Sequence, residues 1–351
     1  MKKELLLASA LVSTLGVASV AEAVTMSTSG SHTTGLRGQD LDSSSDSTMS
    51  HVVSSSFSVS LSETTDGGVG IASSFMLANE GTSGLQTAGL TLTFTDGSKL
   101  DVLTAGNAAA THDVSVPGGA GDALITVTTT NKTQTGLDFF GEATGIGVEW
   151  HSAADFMADG LKVGASLSVD DGVAAVDSVA LESSFGVGAT YVTSAGDTAL
   201  TIGLGYADSD WKDSSTAPSA NSNGYHVGFS AVTGNLTVAA GYANGDKVGH
   251  PSTGVEHEIA DNTVSKLGVK YVTGDITLSV GFTAAEGTDS NTLGTAGTTK
   301  DAQDITDAGI SYAVASGVTA NIGWKDVTSE NEGANDTAGG SSWYIGAAMS
   351  F

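Results

Sequence analysis

Ser341 to Phe351 reads Ser-Ser-Trp-Tyr-Ile-Gly-Ala-Ala-Met-Ser-Phe, and its two-residue rhythm decides the fold. Trp343, Ile345, Ala347, Met349 and Phe351 share one face of an extended strand. Ser342, Tyr344, Gly346, Ala348 and Ser350 share the other, because side chains alternate along a strand. An apolar face with an aromatic at each end, backed by mostly small residues, suits a wall with lipid on one side and water on the other.

The same alternation recurs upstream. Phe57, Val59 and Leu61 alternate with serines, and Leu90, Leu92 and Phe94 alternate with threonines. Ile146, Val148 and Trp150 follow, then Leu200, Ile202, Leu204 and Tyr206, and later Ile276, Leu278, Val280 and Phe282. The residues between them are mostly Gly, Ser and Thr. A soluble β-sandwich alternates too, but its inward face needs bulk to fill a core. Here one face is apolar and the other is too small and polar for a core. That is the pattern of a barrel with lipid outside and water within.

The connections alternate between short and long. Tight turns are expected at 193–196, 232–235, 272–275 and 315–317, with Asp96-Gly97 as another hairpin signal. Long polar stretches lie between them, at 209–223, 244–262, 284–304 and 328–340. Membrane barrels pair short turns on one side with long loops on the other. Counting back from Phe351 gives strands near 341–351, 317–328, 304–314, 274–284, 263–272, 234–244, 222–232, 197–208, 182–193, 160–169, 143–151, 98–105, 86–95, 68–79, 50–62 and 24–36. That makes sixteen, or eighteen if Ala123 to Thr130 joins the wall. The expected class is therefore all-β, a transmembrane antiparallel β-barrel of about sixteen strands with short periplasmic turns and long extracellular loops. The longest gap, 105–142, is the third outer loop, and loops of that length are usually functional.

Composition narrows the possibilities. There is no Cys, so neither a disulfide framework nor a thiolate metal site can form. Twelve Lys and Arg against 39 Asp and Glu give a net charge of −27, which excludes nucleic acid as a partner. Mean hydropathy is only +0.09, and beyond the N-terminus no apolar run is long enough for a spanning helix. The N-terminus itself carries Lys2 and Lys3, an apolar run from Leu5 to Val20, and Ala21-Glu22-Ala23. This reads as a cleaved signal peptide over 1–23, with the barrel over 24–351.

Aromatic placement adds a third signal. Tyr191, Tyr271 and Tyr312 fall beside tight turns, and Tyr206, Tyr242, Phe282 and Trp324 fall at the opposite strand ends. With Trp343 and Phe351, these form two girdles at the membrane interfaces. Every Tyr and Trp lies at or after Trp150. Either the first five strands face another protomer, or Phe suffices there.

These features resemble the general diffusion porins of Gram-negative outer membranes, especially the alpha-proteobacterial type. The resemblance rests on a signal peptide, a mature start of Val24-Thr25-Met26-Ser27 type, sixteen strands, a long third loop and the terminal aromatic strand. It implies residence in the outer membrane, contact with its lipid, and a homotrimer of water-filled channels for small hydrophilic solutes and ions. Each channel is narrowed by the third loop folded into the lumen. It also implies acidic residues on that loop facing basic residues on the wall. Asp113, Asp122, Asp138 and Glu142 are the loop acids, and Asp138-Phe139-Phe140-Gly141-Glu142 resembles the acidic, Gly- and Phe-containing tip of such loops or else leads into the next strand.

Lys99, Lys162, Lys266, Lys270 and Lys325 occupy inward strand positions, as any barrel requires of a cation at membrane depth. Lys99, Lys162 and Lys270 lie near the short turns, whereas Lys266 and Lys325 sit higher and are the candidates for facing the loop. Arg37 is the only arginine, so the family's arginine cluster is missing. Acid excess with a weakened basic wall predicts net cation preference.

The remaining acids gather in outer loops: Asp40, Asp42 and Asp46; Asp208, Asp210 and Asp213; Glu256, Glu258 and Asp261; Glu330, Glu332 and Asp336. Such oxygen-only clusters either bind Ca²⁺ or are simply solvated, and no EF-hand spacing is present. No other cofactor is indicated. The seven histidines are scattered without an HExxH pattern, so no enzyme is expected. Two alternatives to a general channel stand: a substrate-selective channel of the same fold, and a secreted Gly/Asp-rich adhesin-like β-protein.

Overall fold

The computed structural model describes residues 24–42, 47–79, 85–105, 107–119, 121, 134–140, 144–169, 179–213, 220–249, 257–290, 299–331 and 336–351. Sixteen strands run in chain order. They are β1 (Thr25–Leu41), β2 (Thr48–Thr64), β3 (Gly70–Asn79), β4 (Leu85–Thr93), β5 (Lys99–Ala105), β6 (Thr144–His151), β7 (Leu161–Val169) and β8 (Val179–Ala195). The second half comprises β9 (Thr198–Asp213), β10 (Ala220–Thr233), β11 (Leu236–Gly249), β12 (His257–Thr273), β13 (Ile276–Ser290), β14 (Thr299–Ala315), β15 (Val318–Asn331) and β16 (Asp336–Ser350). Each pairs antiparallel with its neighbour in sequence, and β16 pairs with β1, so the sheet closes and leaves no edge. β5 bonds directly to β6, with Lys99 opposite His151, so the wall closes at sixteen. The stretch 123–130 lies outside the described residues.

Four hairpins on one rim have two-residue connections, each with a glycine at positive φ: Gly196, Gly234, Gly274 and Gly317, at 61°, 56°, 57° and 75°. That backbone matches the twist of the flanking strands at no cost to a residue without Cβ. On the opposite rim the strands run further than the sequence suggests. Residues 209–213, 220–221, 245–249 and 257–262, all assigned to loops from polarity, continue the ladders of β9 to β12. The backbone bonds persist above the apolar band, where lipid no longer imposes one apolar side chain in every two and the alternation that marks a strand disappears.

The seam that closes the barrel is built from the stretch quoted first. Trp343 packs on Gly38 and Phe351 on Gly30, both on the outer face, while Tyr344 covers Gly35 and Gly346 on the inner face. Gly30 and Phe351 also exchange both backbone hydrogen bonds at 3.1 Å. Each ring fills a hollow left by a missing Cβ, which fixes the register of the first strand against the last.

One expectation needs correction. The outer face is not apolar throughout: the register that sets Leu36 and Trp343 outward also sets His32, Thr34, His51 and Ser55 outward. A second aromatic joins Tyr344 on the inward strand face. Trp211 lies in the extended upper part of β9, on the inward face, and is only 7% exposed. Its segment carries no apolar alternation, so the sequence hid it.

Candidate functional site

The connection from β5 to β6 turns into the barrel rather than outward. Its first described stretch forms a one-turn helix, α1 (Ala108–Thr111), capped by Asn107, whose Oδ1 accepts from Ala110 N at 3.1 Å. Three wall residues hold this turn. Ser166 Oγ on β7 accepts from Ala108 N at 3.0 Å, Thr190 Oγ1 on β8 lies 2.8 Å from His112 Nδ1, and His226 Nε2 on β10 donates to Ala109 O at 2.8 Å. The chain then runs along the inner wall from β9 to β16. Val114 rests on Gly203 and Gly228, Pro117 on Gly268 and Gly281, and Gly119 on Gly309. Asp307 on β14 accepts the Gly119 N–H at 2.5 Å, and Gly121 reaches the ring of Tyr344. On the returning limb, Asn262 on β12 both accepts from Gln134 N (3.0 Å) and donates to Gln134 O (3.2 Å). Leu137 and Phe140 then press onto Gly241 and Gly224.

This docking explains why the inner wall is rich in glycine. Gly164, Gly188 and Gly205 stand opposite one another across three strands, as do Gly203, Gly228 and Gly241. A Cβ on Gly228 would lie 2.6 Å from Val114 Cβ, and one on Gly281 would lie 2.9 Å from the Pro117 carbonyl oxygen. The glycines make a smooth track for a second layer of chain. The small inward face cannot pack against itself, but it packs against the loop. Leu137, Phe139 and Phe140 join Ala109 and wall residues Ala207, Ala243, Val264 and Ala285 in one buried cluster. Phe139 and Phe140 meet edge to face, 5.3 Å apart.

The loop brings charge to the middle of the lumen. Asp113 and Asp138 both come within electrostatic reach of Lys266 on β12, which also senses Asp307 and Lys325. Lys325 on β15 stands directly opposite Asp307. Asp138 also acts on Lys247 of β11. Burial raises the Asp113 carboxyl above the usual carboxylate range, against the pull of His226 and Lys266. Burial likewise lowers His112 to about 4, helped by His151, His226 and Lys162. Asp113 Oδ1 and His226 Nδ1 are both buried without a hydrogen-bond partner, 4.0 Å apart. Near the β4–β6 wall, Thr91 bonds Asp101, His151 Nε2 lies 2.7 Å from Asp101 Oδ2, and Glu149 bonds Thr111 of α1.

Among the acids expected on the loop, the structure brings Asp113 and Asp138 together around Lys266, while Asp122 and Glu142 lie outside the described residues. Lys99, Lys162 and Lys270 are inward and exposed, low on β5, β7 and β12. Tyr191, Tyr206, Tyr242, Tyr271, Tyr312, Trp324, Trp343 and Phe351 all face outward and stay at least 37% exposed. Among the described residues no group of His, Asp and Glu is placed to hold a metal ion. Asp307, Lys247, His226 and Asn262 were missed from sequence. Asp307 and His226 did carry a signal, since each falls on the inward face of an expected strand. Lys247 and Asn262 lie in stretches read as loops.

A closed sixteen-strand barrel with an infolded third loop is one observation, and the family comparison is another. A family model described as Gram-negative porin matches residues 8–332. The chain belongs to the Gram-negative porin family. No curated protein matches it, but solved porin structures align along its length. OmpF of Salmonella typhi, in complex with daunomycin, has a TM-score of 0.64 at 14% identity, covering 94% of this chain and 98% of its own. The anion-selective porin of Comamonas acidovorans has a TM-score of 0.63 at 11% identity, covering 93% and 100%. The trimer form of OmpT from Vibrio cholerae has a TM-score of 0.57 at 13% identity, covering 93% and 99%. At these identities the likeness shows the fold. Family and fold together make this porin an outer-membrane diffusion channel rather than an enzyme, and they set aside the secreted adhesin.

Proposed function

We propose that this porin forms a homotrimer of water-filled channels passing small hydrophilic solutes and ions with a preference for cations, after removal of residues 1–23. The loop over 105–142 acts as the constriction, with Lys266 and Lys325 as the basic wall and Asp113 and Asp138 (with Asp122 and Glu142) as the acidic edge. Lys99, Lys162 and Lys270 line the exit, and the outward aromatics anchor the two interfaces.

The observation that carries the cation preference is Asp307. It stands opposite Lys325 and near Lys266, so a carboxylate interrupts the basic wall where the loop crosses it. The local charges nearly cancel. The field of a chain with net charge −27 is then left to concentrate cations at the mouths. An OmpT structure is described as trimeric, and trimers of this chain are read by analogy. Reversal potentials across a planar bilayer under a salt gradient test the charge preference. A potential of the sign for cation flow supports it, and anion selectivity overturns it. Single-channel closure in three equal steps would report the trimer.

A further inference from the structure

The third loop covers one side of the lumen and leaves the other bare. Its described contacts all fall on β6 to β16, from Glu149 round to Tyr344. Inward serines on that covered wall are sealed: Ser166, Ser184, Ser209 and Ser222 on β7 to β10 are at most 6% exposed. On β1 and β2 the inward positions are hydroxyl residues too, but they stay open to water. Register sets Ser29 opposite Ser58, Ser31 opposite Ser56 and Thr33 opposite Ser54, on the face that carries Tyr344. Ser29, Ser31 and Ser54 are exposed and the other three are half-buried. Successive rungs are two residues apart, so at about 2.5 Å of height per residue the ladder covers roughly 10 Å of the channel.

Charge is distributed the opposite way. Asp113 and Asp138 meet Lys266, and Asp307 meets Lys325, all on the loop or on the wall behind it. At the inward positions of β1 to β4 the one charged residue is Arg37, two rungs above Thr33. What faces a solute on the bare side is therefore mainly hydroxyl. Ser31 Oγ and Ser56 Oγ lie 2.7 Å apart. Each hydroxyl has one donor and two acceptor lone pairs, so the bond between them leaves one donor and three lone pairs for the lumen. A hydroxyl rotates to suit its partner, and exchanging a bond to water for one to a neutral solute costs little. A solute with a hydroxyl on every carbon can trade its hydration for wall bonds rung by rung, whereas a solute without donors leaves the wall's acceptors unused.

We propose that this hydroxyl ladder is the track along which neutral polyhydroxylated solutes (sugars and polyols) pass the loop, and that it favours them over donor-free solutes of equal size. This rests on the open-channel reading above and adds to it a solute class and the residues that select it. The selection is made by hydrogen bonding on one wall, because the charges of the opposite side are largely spent on one another where the loop docks.

The test uses the full-length protein in liposomes and in planar bilayers. The probes are xylitol, with a hydroxyl on every carbon, and proline betaine, of similar size and without a donor. Stopped-flow light scattering reads their entry, and potassium chloride conductance reads the open pore. In wild type, xylitol should enter at least about threefold faster than proline betaine. Ser31→Ala/Ser54→Ala/Ser56→Ala should erase that ratio while conductance stays within about 1.5-fold of wild type. Ser31→Thr/Ser54→Thr/Ser56→Thr, which keeps the hydroxyls, should preserve it. Equal entry rates in wild type, or a ratio that survives the alanine changes, overturn the track and leave the channel standing. A wild-type protein without conductance overturns both readings. The wild-type comparison needs no variant, so a variant that fails to fold does not block the test.

Discussion

Gly309→Ala tests whether the glycine track holds the third loop in place. A Cβ at position 309 would lie 2.6 Å from the Gly119 carbonyl carbon and 2.9 Å from Gly119 Cα. The Gly119 carbonyl oxygen lies closer still, and all three atoms are backbone; the carbonyl carbon alone needs a shift of 0.8 Å (3.4 less 2.6) to reach an ordinary contact of 3.4 Å, and the oxygen needs more. The wall at that point is a hydrogen-bonded ladder between β13 and β15, so the loop is the part that yields. Overpacking of this kind costs about 1–3 kcal/mol. The displaced Gly119 N–H also draws away from Asp307, where a bond to a charged acceptor contributes about 1.5–3 kcal/mol. Together these make the 117–119 segment roughly 60-fold or more less firmly docked, at a factor of ten for each 1.4 kcal/mol. Single-channel recording should show a lower mean conductance, because the loop moves toward the lumen, together with new flicker between substates. Asp307→Ala should reproduce the flicker, while Asp307→Asn, which keeps an acceptor of the same shape, should lie near wild type. A Gly309→Ala channel that folds normally and matches wild type in both conductance and noise would refute the reasoning.

Further outcomes follow from the same geometry. Tyr344→Ala uncovers Gly35 and Gly346 at the seam and should cost about 3–5 kcal/mol, read as a lower urea midpoint in micelles. Tyr344→Phe loses the hydroxyl's bond to Thr34 O (3.3 Å) and should cost about 1 kcal/mol. Asn262→Ala removes both bonds to Gln134, weakening the returning limb by about 2 kcal/mol, and should raise open-channel noise without changing the folded β content. His112 is held neutral to about pH 4 in the docked loop but protonates near 6.5 when released. Its contribution to docking is therefore complete above pH 6.5 and declines as pH falls toward 4, by at most about 3 kcal/mol. Flicker should grow across that acid window in wild type, and a His112→Gln channel showing the same pH dependence would contradict the assignment.

How much of this was legible in the residues differs between wall and loop. The sixteen strands could be counted from alternation because lipid imposes one apolar side chain in every two, wherever a strand crosses it. That rule stops at the edge of the bilayer, so the upper ends of β9 to β12, and Trp211 with them, read as loops. In β2 the alternation of Phe57, Val59 and Leu61 already sets the odd positions outward, whereas β1 shows no such alternation, and its outward set was settled only when the pairing of Leu36 with Ile345 fixed the register.

By itself, the sequence determined a closed porin-type barrel, its hairpin rim and the inward lysines, since each follows from local periodicity and from turn chemistry. Tertiary structure decided what the glycines are for. Gly203, Gly228, Gly241 and Gly268 are scattered along the chain and become one surface only when four strands align them. It also decided that Asp307 clasps a loop 188 residues earlier in the chain and that Trp343, Tyr344 and Phe351 fill hollows in the first strand. Those contacts depend on the register in which a sheet closes on itself, and register is a property of the paired strands together rather than of either one alone.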